Sequence, residues 1–239
     1  MSIVLCLTNP DEQSGGMRAV YYLFSLLVKT GYDVILNASP KPDDVVVYTD
    51  NMPGNLYGGR RIVRYMCYYA GEYFGGKRIP AHECVMVYHR DYLEEIQQHA
   101  DAPIPEDNVL LVPSIEPGMF YPEDKVQDCI LYVGKKHYDA DLKDWNGVPI
   151  VAKDNFKRGD FATLLRRTKN FYSLDRRTVA TSEAQLAGCV PWYVVGPGRQ
   201  AESAEILDPT MYLMWPERDE ALAHKFVSII RTFFDDPSI

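Results

Sequence analysis

Two acidic side chains stand with seven residues between them in the stretch YSLDRRTVATSEAQLAGCVP, Tyr172 to Pro191: Asp175 and Glu183. Val179 and Ala180 lie one helical turn before Glu183, and Leu186 and Ala187 one turn after it, so this carboxylate is on the stripe of the helix that faces a core. A carboxylate buried there is unfavourable without a partner. Two chemistries supply one: the hydroxyl pair of a ribose, or a structural ion pair with Arg176 or Arg177. Asp175 stands at the mouth of the same helix. There either it or Thr178 caps the helix, leaving the first backbone amides to meet a phosphate.

Three other stretches bear on chemistry. Ser14-Gly15-Gly16 lies between a strand and a helix, where glycine lets the backbone approach a ligand closely; a tight turn with no ligand is the other reading. It is not a dinucleotide fingerprint, because the GxGxxG spacing is missing and the second strand, YDVILNA, ends at Asn37 and not at an acidic residue. Lys135 and Lys136 follow Gly134 at a strand end, as a diphosphate-neutralising pair or as solvated loop lysines. Asp139-Ala140-Asp141 spells DxD but follows "KKHY" instead of an apolar strand end, so no metal site is expected. His82, His89, His99, His137 and His224 have no metal-ligand spacing; His89, just after a strand, is the best placed of them to act as a base. Neither a GxSxG elbow nor a Walker A loop is present, which removes the hydrolase and NTPase readings.

The elements that must position these residues follow an α/β pattern. Strands are expected at Ile3–Thr8, Tyr32–Asn37, Val45–Thr49, Arg61–Tyr69, Cys84–Tyr88 and Val109–Pro113, with helices at Met17–Lys29 and Asp91–His99. Ser114–Asp128, with Pro117, Gly118 and Pro122, reads as a connection. The pattern then restarts with strands at Cys129–Val133, Val148–Ala152, Asn170–Ser173 and Pro191–Val195, and helices at Phe161–Thr168, within Val179–Ala187, and at Glu217–Phe234. Two Rossmann-like β/α lobes are therefore expected, 1–120 and 121–239, with a ligand cleft between them at the carboxyl ends of parallel strands.

With 46% hydrophobic and 24% charged residues in 239, the chain has the composition of an ordinary globular protein. A net charge of −8 disfavours a nucleic-acid binder driven by phosphate contacts, while leaving room for a small anionic ligand held by local cations. No run approaches the roughly 20 apolar residues of a membrane span. The start MSIVLCLTNPDEQ lacks the features of a secretory signal, so the cytoplasm is expected. The five cysteines are scattered and read as buried reduced thiols. Among seventeen tyrosines, Tyr65, Tyr68, Tyr69 and Tyr73 line a groove or sit on strand surfaces. Arg60, Arg61 and Arg64 with Tyr57 and Tyr65 would form a patch for peripheral membrane contact.

Asp175, Glu183-Ala184 and Ala187-Gly188-Cys189-Val190-Pro191 together resemble the acidic–seven–Glu motif and strand entry of nucleotide-sugar glycosyltransferases with the GT-B fold, of the family 4 type. The Gly-Gly loop, "RRIVRYM", "LLVPSIEPGMFYPE" and "LYVGKK" fall in that family's order. This resemblance implies an α/β fold of two Rossmann-like lobes facing across a cleft, an acceptor side at 1–120 and a donor side at 121–239. It implies transfer of a sugar from a nucleotide-diphosphate-sugar to a hydroxyl of a glycan, lipid or protein, metal-independent and retaining, with no cofactor. Glu183 would bind the ribose; Thr178, Lys135 and Lys136 would hold the diphosphate; Gly15 and Gly16 would close over the sugar phosphate; Ser173 would be a further donor-binding residue. Asp175 would take the catalytic acidic position, where the commonest family pattern has Glu. A sugar-nucleotide epimerase of the same fold and a non-catalytic nucleotide-sugar or glycan-binding subunit are the alternatives.

Overall fold

A computed structural model describes residues 2–7, 14–52, 54–68, 78–134, 142–152, 156–176, 178–197, 199–206 and 208–234. The chain forms two compact units: Met1–Asp11, Ala19–Val112 and Trp215–Ile239 make the first, and Glu12–Arg18 with Pro113–Met214 the second. The expected halves, 1–120 and 121–239, are thus crossed twice. The last helix joins the first unit, and the segment that opens the first helix joins the second.

The first unit is built on strands β1 (Ile3–Cys6), β2 (Val34–Leu36), β3 (Val45–Thr49), β4 (Arg61–Met66) and β5 (Cys84–Val87), in the order β2-β1-β3-β4-β5. Every pairing is parallel. All of β1, β3 and β5 is buried, as expected of near-continuous apolar runs such as IVLC and VVVYT in a parallel sheet covered on both faces. Helix α1 (Gly15–Lys29) carries the buried residues Met17, Val20, Leu23, Leu26 and Leu27. It ends at Gly31 with φ +82°, where Gly31 N–H donates to Val28 O and Tyr32 N–H to Leu27 O. That left-handed stop needs a residue without a Cβ. A short helix α2 (Leu93–His99) follows β5.

Val109–Pro113 is not a strand. Only Val109 bridges to Val87, because the hydrogen bond from Leu110 N–H to Val87 O is not followed by a ladder. The last helix returns to the first unit through a buried polar contact: the Tyr22 hydroxyl donates to Asp219 Oδ2 at 2.9 Å, and the same oxygen accepts from Trp215 N–H at 2.7 Å, capping the helix start.

The second unit repeats the strand order. Strands β6 (Gln127–Gly134), β7 (Ile150–Ala152), β8 (Thr168–Ser173), β9 (Val190–Val194) and β10 (Ala201–Ser203) lie as β10-β9-β8-β6-β7, parallel except for β10. The antiparallel edge strand β10 has no counterpart in the sequence expectations. Helices α3 (Arg158–Arg166) and α4 (Val179–Leu186) cover one face. Phe161, Leu165, Ala180 and Ala184 meet Ile130 and Phe171 there. Helix α5 (Pro216–Phe234) is the helix that has returned to the first unit.

Four cysteines are buried and Cys67 is half-buried, and all five are unbridged. Tyr65 is fully buried with its hydroxyl on Leu110 O, so it lines no groove; Tyr68 is half-buried against Tyr92, and Tyr69 and Tyr73 lie outside the described residues. Arg64 is equally buried, in an ion pair with Glu83, so the expected basic–aromatic surface patch does not form from Arg64 and Tyr65. No helix among the described residues is long and apolar enough to cross a membrane.

Candidate functional site

In the order β7-β6-β8-β9 the chain leaves β6 toward one edge of the sheet and β8 toward the other, so the switch point of the sheet lies at the carboxyl ends of β6 and β8. Gly134 closes β6 with φ +70°, and a Cβ there would lie 3.0 Å from the Asp175 Cβ and 3.4 Å from its Oδ2. Glycine is required for Asp175 to come down over the strand end. The Ser173 hydroxyl, fully buried, donates to Asp175 O at 2.7 Å and accepts from Asp175 N–H at 3.0 Å. Ser173 therefore sets the turn that carries Asp175.

Three residues on, Thr178 is the N-cap of α4: its backbone is extended and its Oγ1 accepts from Ala180 N–H at 3.3 Å. Of the two expected capping residues, Thr178 performs the task. Tyr132, on β6 beneath it, shares a hydrogen bond with Thr178, and burial pushes its phenol up to about 12 against that bond.

Glu183 is 2% exposed, as its place on the helix stripe requires. Its Oε1 accepts from Arg18 Nη2 and from Arg158 Nη1, both at 2.6 Å. These partners replace the expected pair with Arg176 or Arg177: Arg176 reaches Glu202 at the surface, 3.3 Å away, and Arg177 lies outside the described residues. Arg18 is held in turn by its Nε donating to Ser114 O at 2.7 Å, and the Arg158 guanidinium lies 5.2 Å from the centre of the Phe120 ring. Both arginines were missed at the level of sequence. The available signal was the one that exposed Glu183: Arg18 sits four residues before Tyr22 on the buried side of α1, and a buried carboxylate calls for a buried cation.

Gly15 and Gly16 belong to the first turn of α1, which Ser14 opens by accepting from Met17 N–H at 3.4 Å. A Cβ on Gly15 would stand 2.5 Å from Val179 Cγ1, so this glycine admits the start of α4. Lys135, Lys136, His137, Asp139 and Asp141 lie outside the described residues. His89 accepts from Asp91 N–H through Nδ1 at 3.2 Å, which makes it the cap of a short helical turn in the first unit. Among the described residues no three His, Cys, Asp or Glu side chains gather as a metal site.

The described geometry thus places Ser173, Asp175, Thr178 and Glu183 about the switch point and adds Tyr132, Arg18 and Arg158. There two guanidinium groups share one buried carboxylate beside the start of α4.

No protein-family model matches the chain, and no curated protein matches it. Among solved structures, that of accessory secretory proteins 1, 2 and 3 from Streptococcus pneumoniae is similar over 92% of this chain and 53% of that chain, with 10% identity and a TM-score of 0.33. The chain spans about half the length of that structure's chain. Its own strand order and pairing establish a mixed α/β protein with two five-stranded sheets, one wholly and one mainly parallel.

Proposed function

We propose that the chain is a glycosyltransferase that moves a sugar from a nucleotide-diphosphate-sugar to a hydroxyl acceptor on a glycan, lipid or protein, with the second unit as its donor lobe. One observation carries the reading: the acidic–seven–Glu stretch, Asp175 to Glu183, lies at the switch point of a parallel sheet, with Asp175 over the glycine that ends β6 and Thr178 capping α4. In this proposal the start of α4 and Lys135 and Lys136 stabilise the charge that develops on the leaving diphosphate, which lowers the barrier to breaking the sugar–phosphate bond without a metal. Ser173 acts through Asp175, whose carboxylate faces the donor sugar. Gly15 and Gly16 form the backbone wall beside the sugar phosphate, and the facing of two lobes across a cleft belongs to the same proposal. Glu183 has one oxygen committed to arginines, so its ribose contact runs through Oε2.

A second reading, a non-catalytic nucleotide-sugar-binding subunit, is favoured by that commitment of Oε1 to Arg18 and Arg158. Calorimetry with UDP-, GDP- and dTDP-sugars, followed by a turnover assay over a set of acceptors, separates the two. The transferase reading expects binding of one nucleotide class and release of its nucleoside diphosphate only when acceptor is present. Binding with no turnover under any acceptor selects the subunit reading, and absence of binding to the whole panel removes both.

A further inference from the structure

Arg158 is 8% exposed, yet among the described residues only its Nη1 has an acceptor. Its Nε and Nη2 are buried with no hydrogen-bond partner among the described residues. Those two nitrogens carry the parallel N–H bonds on one edge of the guanidinium, the edge that takes two oxygens of a carboxylate or phosphate side by side. The same protein shows that edge in use: Arg64 points Nε and Nη2 at the two carboxylate oxygens of Glu83, at 2.5 and 3.2 Å. Among the described residues Arg158 has no such carboxylate on that edge: the nearby Glu183 gives one oxygen to Nη1 and to Arg18. A buried guanidinium edge without acceptors is costly, a state that an anion would relieve. Buried hydroxyls of Ser114, Thr181 and Ser182 also lack partners among the described residues. Ser114 is tied to Arg18 through its carbonyl, and Ser182 precedes Glu183 in α4.

We propose that the Nε–Nη2 edge of Arg158 is a phosphoryl-binding subsite, oriented from behind by Glu183 and Phe120. The subsite stands on this geometry alone; its assignment to the diphosphate of a nucleotide rests on the proposed function and names a residue of the donor site. A free phosphate ion offers the same oxygens. The edge is covered, so an anion enters as neighbouring side chains give way and is then held out of water, where a bidentate contact is strongest.

The test is calorimetry on the full chain with inorganic phosphate, UDP, GDP and acetate, each at one ionic strength set with chloride. The expected result is binding of phosphate or of a nucleoside diphosphate, little binding of acetate, and about tenfold or greater weakening in Arg158→Lys, which keeps the charge and loses the fork. Tighter binding of UDP or GDP assigns the subsite to a nucleotide, and tighter binding of phosphate assigns it to the free ion. The proposal is overturned if no phosphate compound binds, if acetate binds as well as phosphate does, or if Arg158→Lys binds like the wild type. Should that variant fail to fold by circular dichroism, the wild-type Arg158 Nε–H resonance decides: it shifts on adding phosphate or nucleotide, and an unmoved resonance overturns the assignment. Binding that Arg158→Lys weakens, without sugar turnover, keeps the subsite and removes the transferase. Turnover whose donor KM is unchanged in Arg158→Lys does the reverse.

Discussion

Glu183 sets one negative charge against two guanidinium groups, with all three side chains more than nine-tenths buried. Removing the carboxylate takes away the acceptor that both guanidinium groups share in a low-dielectric interior. Glu183→Ala is therefore expected to destabilise the chain by about 3–5 kcal/mol, the usual cost of breaking a buried pair from one side. The urea midpoint measures this, and a loss under about 1 kcal/mol would contradict the pairing. Any loss of nucleotide binding by that variant has to be read on its folded fraction. Burial of Glu183 was legible in the sequence because apolar neighbours at helical spacing fix which side of a helix faces inward. Its partners were not legible: Arg18 lies 165 residues away and Arg158 lies 25 away, and no local pattern links positions so far apart.

At the scale of elements, the start of α1 packs on the start of α4 through a glycine. Gly15→Ala places a methyl group 2.5 Å from Val179 Cγ1, well inside contact distance. A net loss of about 1–3 kcal/mol is expected, as for other overpacked contacts. Val179→Ala in the same chain should recover most of it, because the opposing methyl groups are removed. A double-mutant cycle on thermal stability tests this, and additive effects of the two changes would exclude the contact. The sequence placed a helix start and a glycine pair at this point. What stands against the Gly15 backbone within the chain is the Val179 side chain. Strands were legible where apolar runs are continuous, as at Val45–Thr49, which matches residue for residue. Val109–Pro113 is likewise an apolar run but makes one bridge among the described residues, because a strand needs a neighbour free to pair along its length.

Across the whole molecule, protonated thiols and phenols are held inside both units. Burial raises Cys6 and Cys84 from 9.0 to about 12, Cys189 to about 11 and Tyr132 from 10.0 to about 12, and it holds Tyr65 well above its ordinary value. In the unfolded chain these groups give up protons near their ordinary values of 9.0 and 10.0, whereas the folded chain keeps them. Above about pH 9 the unfolded state thus binds fewer protons, and stability falls as pH rises, the losses ending near the folded values of about 11 to 12. Urea midpoints between pH 8 and pH 11 should decline steadily, and a flat profile would count against buried protonated groups. The alternation of apolar runs and amphipathic segments was enough to determine an α/β chain with two successive sheets, because each element's burial is written in its own residues. Only the tertiary structure decided that the last helix joins the first unit, where Tyr22 meets Asp219, and that Arg18 and Arg158 close on Glu183. An amphipathic helix announces that one face will be covered. What covers it is settled by long-range packing, in which many residues compete for the same partner and the best-satisfied arrangement prevails.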